Sequence, residues 1–164
     1  RGAVDLEGCY KGEITKDLTF DVGVLTYQYP HNQLATSANT TELYGALTFG
    51  PATLKYSHSV SNLFGFADSK NSGYLDLTVG LDVGEGFTLT PHLGYQKVAS
   101  NSDYSYTDYS LTLSKDIQGF VLSAALVGAQ TKTVPTNPNG YAYYSPGGKD
   151  LGKTSLVVGV KKTF

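Results

Sequence analysis

The chain has 164 residues, 40% hydrophobic and 16% charged, which is the length of one domain and too apolar for a charged disordered tail. Its net charge of −2 and pI near 5.9 give no electrostatic basis for binding nucleic acid. A single cysteine, Cys9, excludes an internal disulfide, and His31, His58 and His92 fall in different segments, so neither a metal site nor a cofactor is expected.

No apolar run approaches the ~20 residues of a membrane helix. The longest, 120–129, is about half that. Glycine and proline interrupt most helical windows. Period-2 alternation instead predicts nine strands, at 3–12, 17–29, 41–49, 52–60, 73–83, 86–98, 103–115, 119–130 and 154–164. In the first, Val4, Leu6 and Tyr10 oppose Asp5, Glu7 and Lys11. In the second, Leu18, Phe20, Val22 and Val24 oppose Asp21 and Gly23. The fifth is the clearest: Leu75, Leu77, Val79, Leu81 and Val83 oppose Tyr74, Asp76, Thr78, Gly80 and Asp82. In the sixth, Phe87, Leu89, Leu93 and Tyr95 oppose Thr88, Thr90, His92, Gly94 and Gln96. In the last, Leu156, Val158, Val160 and Phe164 oppose Val157, Gly159, Lys161 and Thr163.

The connections alternate in length. Tight turns at 12–17, 49–52, 83–86 and 115–119 take turns with long polar loops at 30–40, 61–72, 98–103 and 132–153. A meander of this kind has all its short turns at one end and all its long loops at the other. Outer-membrane barrels share that asymmetry, with short periplasmic turns and longer outside loops.

Alternation alone does not say which face is inside. A soluble barrel places apolar side chains inward, and a membrane barrel places them outward. Three features favour the membrane. Phe20, Phe49, Phe87, Phe120 and Phe164 gather at the short-turn end on the apolar face. Tyr27, Tyr29, Tyr74, Tyr95, Tyr104 and Tyr106 gather toward the long-loop end, on mixed faces. Two such sets suggest the aromatic girdles of an apolar band. The loops differ in length by end. The chain closes on Phe164 after apolar residues at 156, 158 and 160, like the final strand that barrel assembly machinery reads. Lys162 departs from that pattern, although a lysine near the interface can snorkel.

Single-chain bacterial barrels have an even number of strands. Nine is odd, so either strands are missing upstream or 17–164 closes as an eight-stranded barrel without residues 1–13. The absence of methionine makes Arg1 the start of a processed chain or of a fragment.

The runs Asp5-Leu6-Glu7-Gly8-Cys9-Tyr10-Lys11-Gly12-Glu13, Phe20-Asp21-Val22-Gly23-Val24-Leu25, Tyr27-Gln28-Tyr29-Pro30 and Thr41-Glu42-Leu43-Tyr44-Gly45 resemble the TorF porin family, also called Gcw_chp. So do Lys55-Tyr56-Ser57, Ser72-Gly73-Tyr74-Leu75-Asp76-Leu77, His92-Leu93-Gly94-Tyr95-Gln96, Tyr106-Thr107-Asp108-Tyr109 and Ser114-Lys115-Asp116. The resemblance covers nearly the whole chain. It implies about three further N-terminal strands after a signal peptide, so that the nine belong to a twelve-stranded transmembrane barrel. It carries over no catalytic motif and no defined substrate, and it gives Cys9 no thiol role.

The expected fold is therefore all-β: an antiparallel up-and-down transmembrane barrel in one domain, 1–164, in the outer membrane of a Gram-negative bacterium. Asp5, Glu7, Lys11, Asp21, Glu42, Lys55, Asp76, Asp82, His92, Asp108 and Lys161 are the expected lumen side chains. Their mixed charge fits either a water-filled path or ion pairs that seal the lumen. His92 beside Asp76 or Asp108 has the residue types of general acid–base chemistry. Without a serine nucleophile motif it reads as a lumen histidine in a polar network. Residues 84–86 and 146–148 are Gly-rich but lack the strand-to-helix setting of a phosphate loop, and read as turns. The loop 133–153 is expected to constrict the lumen, to form an outer contact surface, or to be mobile. The expected function is a channel for small polar solutes, with a plugged structural or adhesive barrel as the alternative. The expected partners are membrane lipid, the assembly machinery through Phe164, and small solutes; a homo-oligomer is left open.

Overall fold

The computed structural model describes residues 3–162, the side chain of Pro138 excepted. Phe164, the expected terminal signal, lies outside them. The strands are β1 (Val4–Thr15), β2 (Leu18–Gln28), β3 (Thr40–Phe49), β4 (Ala52–Ser59), β5 (Gly73–Val79), β6 (Leu81–Asp82), β7 (Phe87–Lys97), β8 (Tyr106–Ile117), β9 (Phe120–Gln130) and β10 (Ser155–Lys162). All pairings are antiparallel between chain neighbours, in the order β1-β2-β3-β4-β5-β7-β8-β9-β10, with β6 extending β5 alongside β7. The fold is thus all-β and up-and-down, as expected. The sheet is open: among the described residues β1 and β10 are its two edges and do not pair.

Three boundaries differ from the sequence reading. The expected strand 73–83 is two strands separated at Gly80. The register is the same on both sides of the break, Thr78 facing His92 and Leu81 facing Leu89. Pro91 stands across from Val79, next to Gly80, and a proline has no N–H to give to the ladder. The expected turn 12–17 is narrower, because β1 runs on to Thr15 through a register shift between Glu13 and Thr15. The expected strand 103–115 begins instead at Tyr106 and ends at Ile117. Residues 102–104 form a 3-10 turn, and Gln118 and Gly119 both have positive φ, the requirement of a two-residue type I′ hairpin.

The four short connections (16–17, 50–51, 83–86, 118–119) lie at one end of the sheet and the four long ones (29–39, 60–72, 98–105, 131–154) at the other. Register then assigns every side chain to a face. One face carries Leu6, Val22, Leu43, Leu54, Leu77, Leu93, Leu111, Leu126 and Val158 in a band that crosses all nine wall positions. These side chains are exposed, Val158 at 74% and Leu6 at 59%. Among the described residues no hydrophobic core lies beneath them, and the buried apolar ones are Tyr44 on the opposite face and Leu63, Val98, Val134 and Ala142 in or beside the long loops. Burial of apolar surface in water drives ordinary folding, and this sheet leaves its apolar face uncovered.

Candidate functional site: the concave polar face

The opposite face is concave, because side chains on it meet across intervening strands. All eleven expected lumen residues stand on this face. Asp5, Glu7 and Lys11 come from β1, Asp21 from β2, Glu42 from β3, Lys55 from β4, Asp76 from β5, Asp82 from β6, His92 from β7, Asp108 from β8 and Lys161 from β10.

Two polar networks brace it. In the first, Tyr44 of β3 reaches over β2 and donates its phenol to Glu7 Oε1 of β1 at 2.5 Å, with Asp21 Oδ1 at 3.3 Å. Lys11 Nζ lies 3.2 Å from Asp21 Oδ2 on the same side, and Lys55 Nζ sits 3.9 Å from the centroid of the Tyr44 ring. The reach is possible because the residue beneath the ring is Gly23. A Cβ there would lie 2.8 Å from the Tyr44 ring and 2.7 Å from the Gly8 carbonyl oxygen.

The second network repeats the device. Tyr74 of β5 reaches over β7 and donates to the Asp108 carboxylate of β8, 3.0 Å from each oxygen. Its seat is Gly94, where a Cβ would run into the Tyr74 phenol and lie 2.6 Å from Asp108 Oδ2. His92 stands between two carboxylates. Its Nε2 is 2.9 Å from Asp76 Oδ2 and its Nδ1 is 3.6 Å from Asp108 Oδ1. Thr78 donates to Asp76 Oδ1 at 2.9 Å. The expected polar network around His92 is therefore assembled, its polar partners being carboxylates and a phenol. Such linked groups cross-brace three strands and hold charge at fixed positions.

Two long loops fold over this face. The loop 60–72 is tied at both flanks. Thr40 Oγ1 accepts from Phe64 N at 2.8 Å, Ser72 Oγ accepts from Ala99 N at 2.9 Å, and Asn101 Nδ2 donates to Ala67 O at 2.7 Å. These ties place the Phe64 ring 5.0 Å from Tyr27 and the Phe66 ring 4.8 Å from Tyr104. The loop 131–154 sends Tyr143 inward. Its ring lies 5.5 Å from Tyr106, and its phenol, pushed up in pKa by burial, donates to Tyr104 O at 2.6 Å. Of the three expectations for 133–153, this arrangement matches inward folding.

The aromatic sets divide by face. Phe20, Phe49, Phe87 and Phe120 stand on the apolar face at the short-turn end. Lys115 and Lys162 lie over Phe87 and Phe120 at 4.3 and 4.2 Å from the ring centroids. That pairing is how a lysine at an interface keeps its stem in apolar surroundings and its charge in water. Of the expected tyrosine belt, Tyr95 alone stands on the apolar face, with Tyr56 and Tyr109 as neighbours that the sequence reading did not assign. Tyr27, Tyr74 and Tyr106 stand on the polar face, and Tyr29 and Tyr104 lie in the loops. Tyr44, Phe64 and Tyr143 are site residues that the sequence reading missed. Tyr44 had a readable signal, since it shares the parity of Glu42.

With this geometry in place, comparison with known proteins is informative at the level of family. All 164 residues match the family described as bacterial protein of unknown function (Gcw_chp). The chain belongs to this Gcw_chp family. No curated protein and no solved structure matches it. The polar face of this Gcw_chp protein presents carboxylates and phenols, hydrogen-bond acceptors and donors at fixed positions. The cysteine on the same face, Cys9, is exposed and free.

Proposed function

We propose that the chain forms part of the wall of a bacterial outer-membrane β-barrel, and that small polar solutes pass along its concave face. The observation that carries this reading is the inverted polarity of the sheet. Large apolar side chains are exposed on the convex face while carboxylates, phenols and hydroxyls face one another on the concave one. Lipid tails cover such a convex face at no polar cost, and water fills such a concave one. The Phe and Lys pairs at the short-turn end, and the Tyr56, Tyr95 and Tyr109 group nearer the long loops, support two interfacial belts.

Strand direction supports a twelve-stranded closure. β1 leads into the short turn 16–17, and β10 follows the long loop 131–154, so both run toward the short-turn end. An all-antiparallel ring cannot join them directly. It needs an odd number of added strands, and three would make twelve. Open edges would strand backbone donors and acceptors in lipid at several kcal/mol each. The second reading, a plugged structural or adhesive barrel, draws on the loop 60–72 and Tyr143, which fold across the concave face.

The test is the full-length protein folded into planar bilayers. Stepwise conductance and heat-modifiable electrophoretic mobility are expected. A folded, heat-modifiable protein without conductance selects the plugged barrel. A protein that stays monomeric and folded in buffer without detergent overturns the membrane reading.

A further inference from the structure

Beside the two braced networks, and sharing Lys55 and Tyr74 with them, lies a further set of side chains. A cavity of about 260 Å³ opens on the concave face, lined by Tyr27, Glu42, Lys55, Phe64, Tyr74 and Tyr106 among others. Five strands and the loop 60–72 contribute these six. The Tyr74 phenol is committed to Asp108. Among the described residues the Tyr27 and Tyr106 phenols and the Glu42 carboxylate have no hydrogen-bond partner, and Lys55, whose ammonium lies over the Tyr44 ring, is the positive charge that acts on Glu42. Glu42 is half-buried, so its carboxylate has lost part of its water without gaining a protein donor. Glu7, Asp21, Asp76 and Asp108 on the same face each have a hydrogen-bond or ion-pair partner.

We propose that this cavity is a binding site for one ring of a neutral carbohydrate. The reading rests on the channel proposal for the site's place on a solute path. A cation would meet Lys55, and an anion would meet Glu42 and Asp76. A sugar hydroxyl donates and accepts at once, so it uses Glu42 as acceptor, Lys55 as donor and the phenols as either. The C–H faces of a pyranose pack on aromatic rings, and Tyr27, Phe64, Tyr74 and Tyr106 supply four of them. The volume lies just under the roughly 300 Å³ at which drug-sized pockets begin, which suits a single ring. Phe64 acts as the roof. Its φ of 44° is a conformation that bulky residues rarely adopt, and the Thr40 hydroxyl holds its N–H there. A site on a conduction path must bind weakly enough to release its ligand.

The test uses full-length protein in detergent and in planar bilayers, with glucose, maltose, choline and inorganic phosphate as probes. Maltose and glucose should give saturable heats by titration calorimetry and a saturable fall in ion current, with choline and phosphate giving neither. Glu42→Gln and Phe64→Ala should each weaken sugar binding about tenfold, the scale of one hydrogen bond to a charged group or one lost packing face. Phe64 lies outside the strands, so its variant tests the site even if Glu42→Gln folds poorly. Conductance without sugar binding overturns the site and leaves the channel standing. Sugar binding without conductance supports the site and removes the channel. Tighter binding of choline or phosphate than of maltose overturns the assignment to a neutral ligand.

Discussion

Leu77 is where the proposed membrane face is most sharply tested. It stands on β5 with Leu54 on one side and Leu93 on the other, and the three are 41%, 46% and 54% exposed. The run from Gly73 to Asp82, with Gly80 between β5 and β6, rises about 33 Å at ~3.3 Å per residue. Tilted by ~45°, it covers about 23 Å of bilayer normal, close to the ~25 Å apolar band of such barrels. Leu77 falls near its middle. Leu77→Arg should therefore cost about 2–4 kcal/mol, the midplane penalty for arginine on a lipid face. On a water-exposed face the same change stays within about 0.5 kcal/mol. Thr78→Arg, one residue on, points at the concave face beside Asp76, to which Thr78 donates at 2.9 Å. It should cost less than 1 kcal/mol or be neutral, on the order of an exposed charge pair. Urea-dependent folding into short-chain lipid vesicles, followed by tyrosine fluorescence and electrophoretic mobility, measures both. If Leu77→Arg proves neutral, or if Thr78→Arg is the costlier of the two, the convex face does not meet lipid.

Three further outcomes follow from the same geometry. Gly94→Ala should destabilise by roughly 2 kcal/mol, because its Cβ meets the Tyr74 phenol and Asp108; in a Tyr74→Ala background the loss should shrink below about 1 kcal/mol, and an unchanged loss would refute the seat. Tyr44→Phe should cost about 1 kcal/mol in the same folding assay by removing the donor to Glu7 and Asp21, and a neutral result would show that this brace contributes nothing. Asp76→Asn with Asp108→Asn should weaken a cation-leaning reversal potential in a salt gradient, since both carboxylates face the concave side; an anion-leaning wild type would remove the claim.

How much of this could be read beforehand depends on the range of the physics involved. Facing is local: a strand turns over every residue, so Asp76 and Leu77 were separated correctly without any partner. Loop asymmetry was equally local. The tyrosines were grouped by proximity to the long loops, on mixed faces, and parity sorts them further. Tyr27 shares parity with Asp21, Tyr74 with Asp76 and Tyr106 with Asp108, which already placed all three among the carboxylates. The break at Gly80 was hidden because the proline beside it in the register, Pro91, sits on the neighbouring strand. Gly23 and Gly94 were unreadable as seats for the same reason, since their meaning depends on which tyrosine the register lays across them. Phe64 was least readable, because its position rests on Thr40 and Asn101, from two other segments, and on Ser72 at the far end of its own loop.

The braced networks and the cavity together suggest how one concave face is both rigid and accessible. Tyr44 and Tyr74 each span a middle strand and spend a phenol on a carboxylate two strands away, so the wall on either side is fixed by side chains as well as by its ladder. Each of those carboxylates then has part of its accepting capacity taken by the brace. β3 and β4 also contribute Glu42 and Lys55, which make no hydrogen bond among the described residues and lie under the roof of Phe64. Division of labour of this kind makes a distinct claim about mutants. Loss of a bracing phenol should lower folding stability and leave solute preference alone, whereas loss of Glu42 should change preference at nearly constant stability. Tyr44→Phe and Glu42→Gln, compared in one folding assay and one conductance assay, should separate along those two axes. If both variants shift both quantities together, bracing and binding are one network, and the division drawn here is wrong.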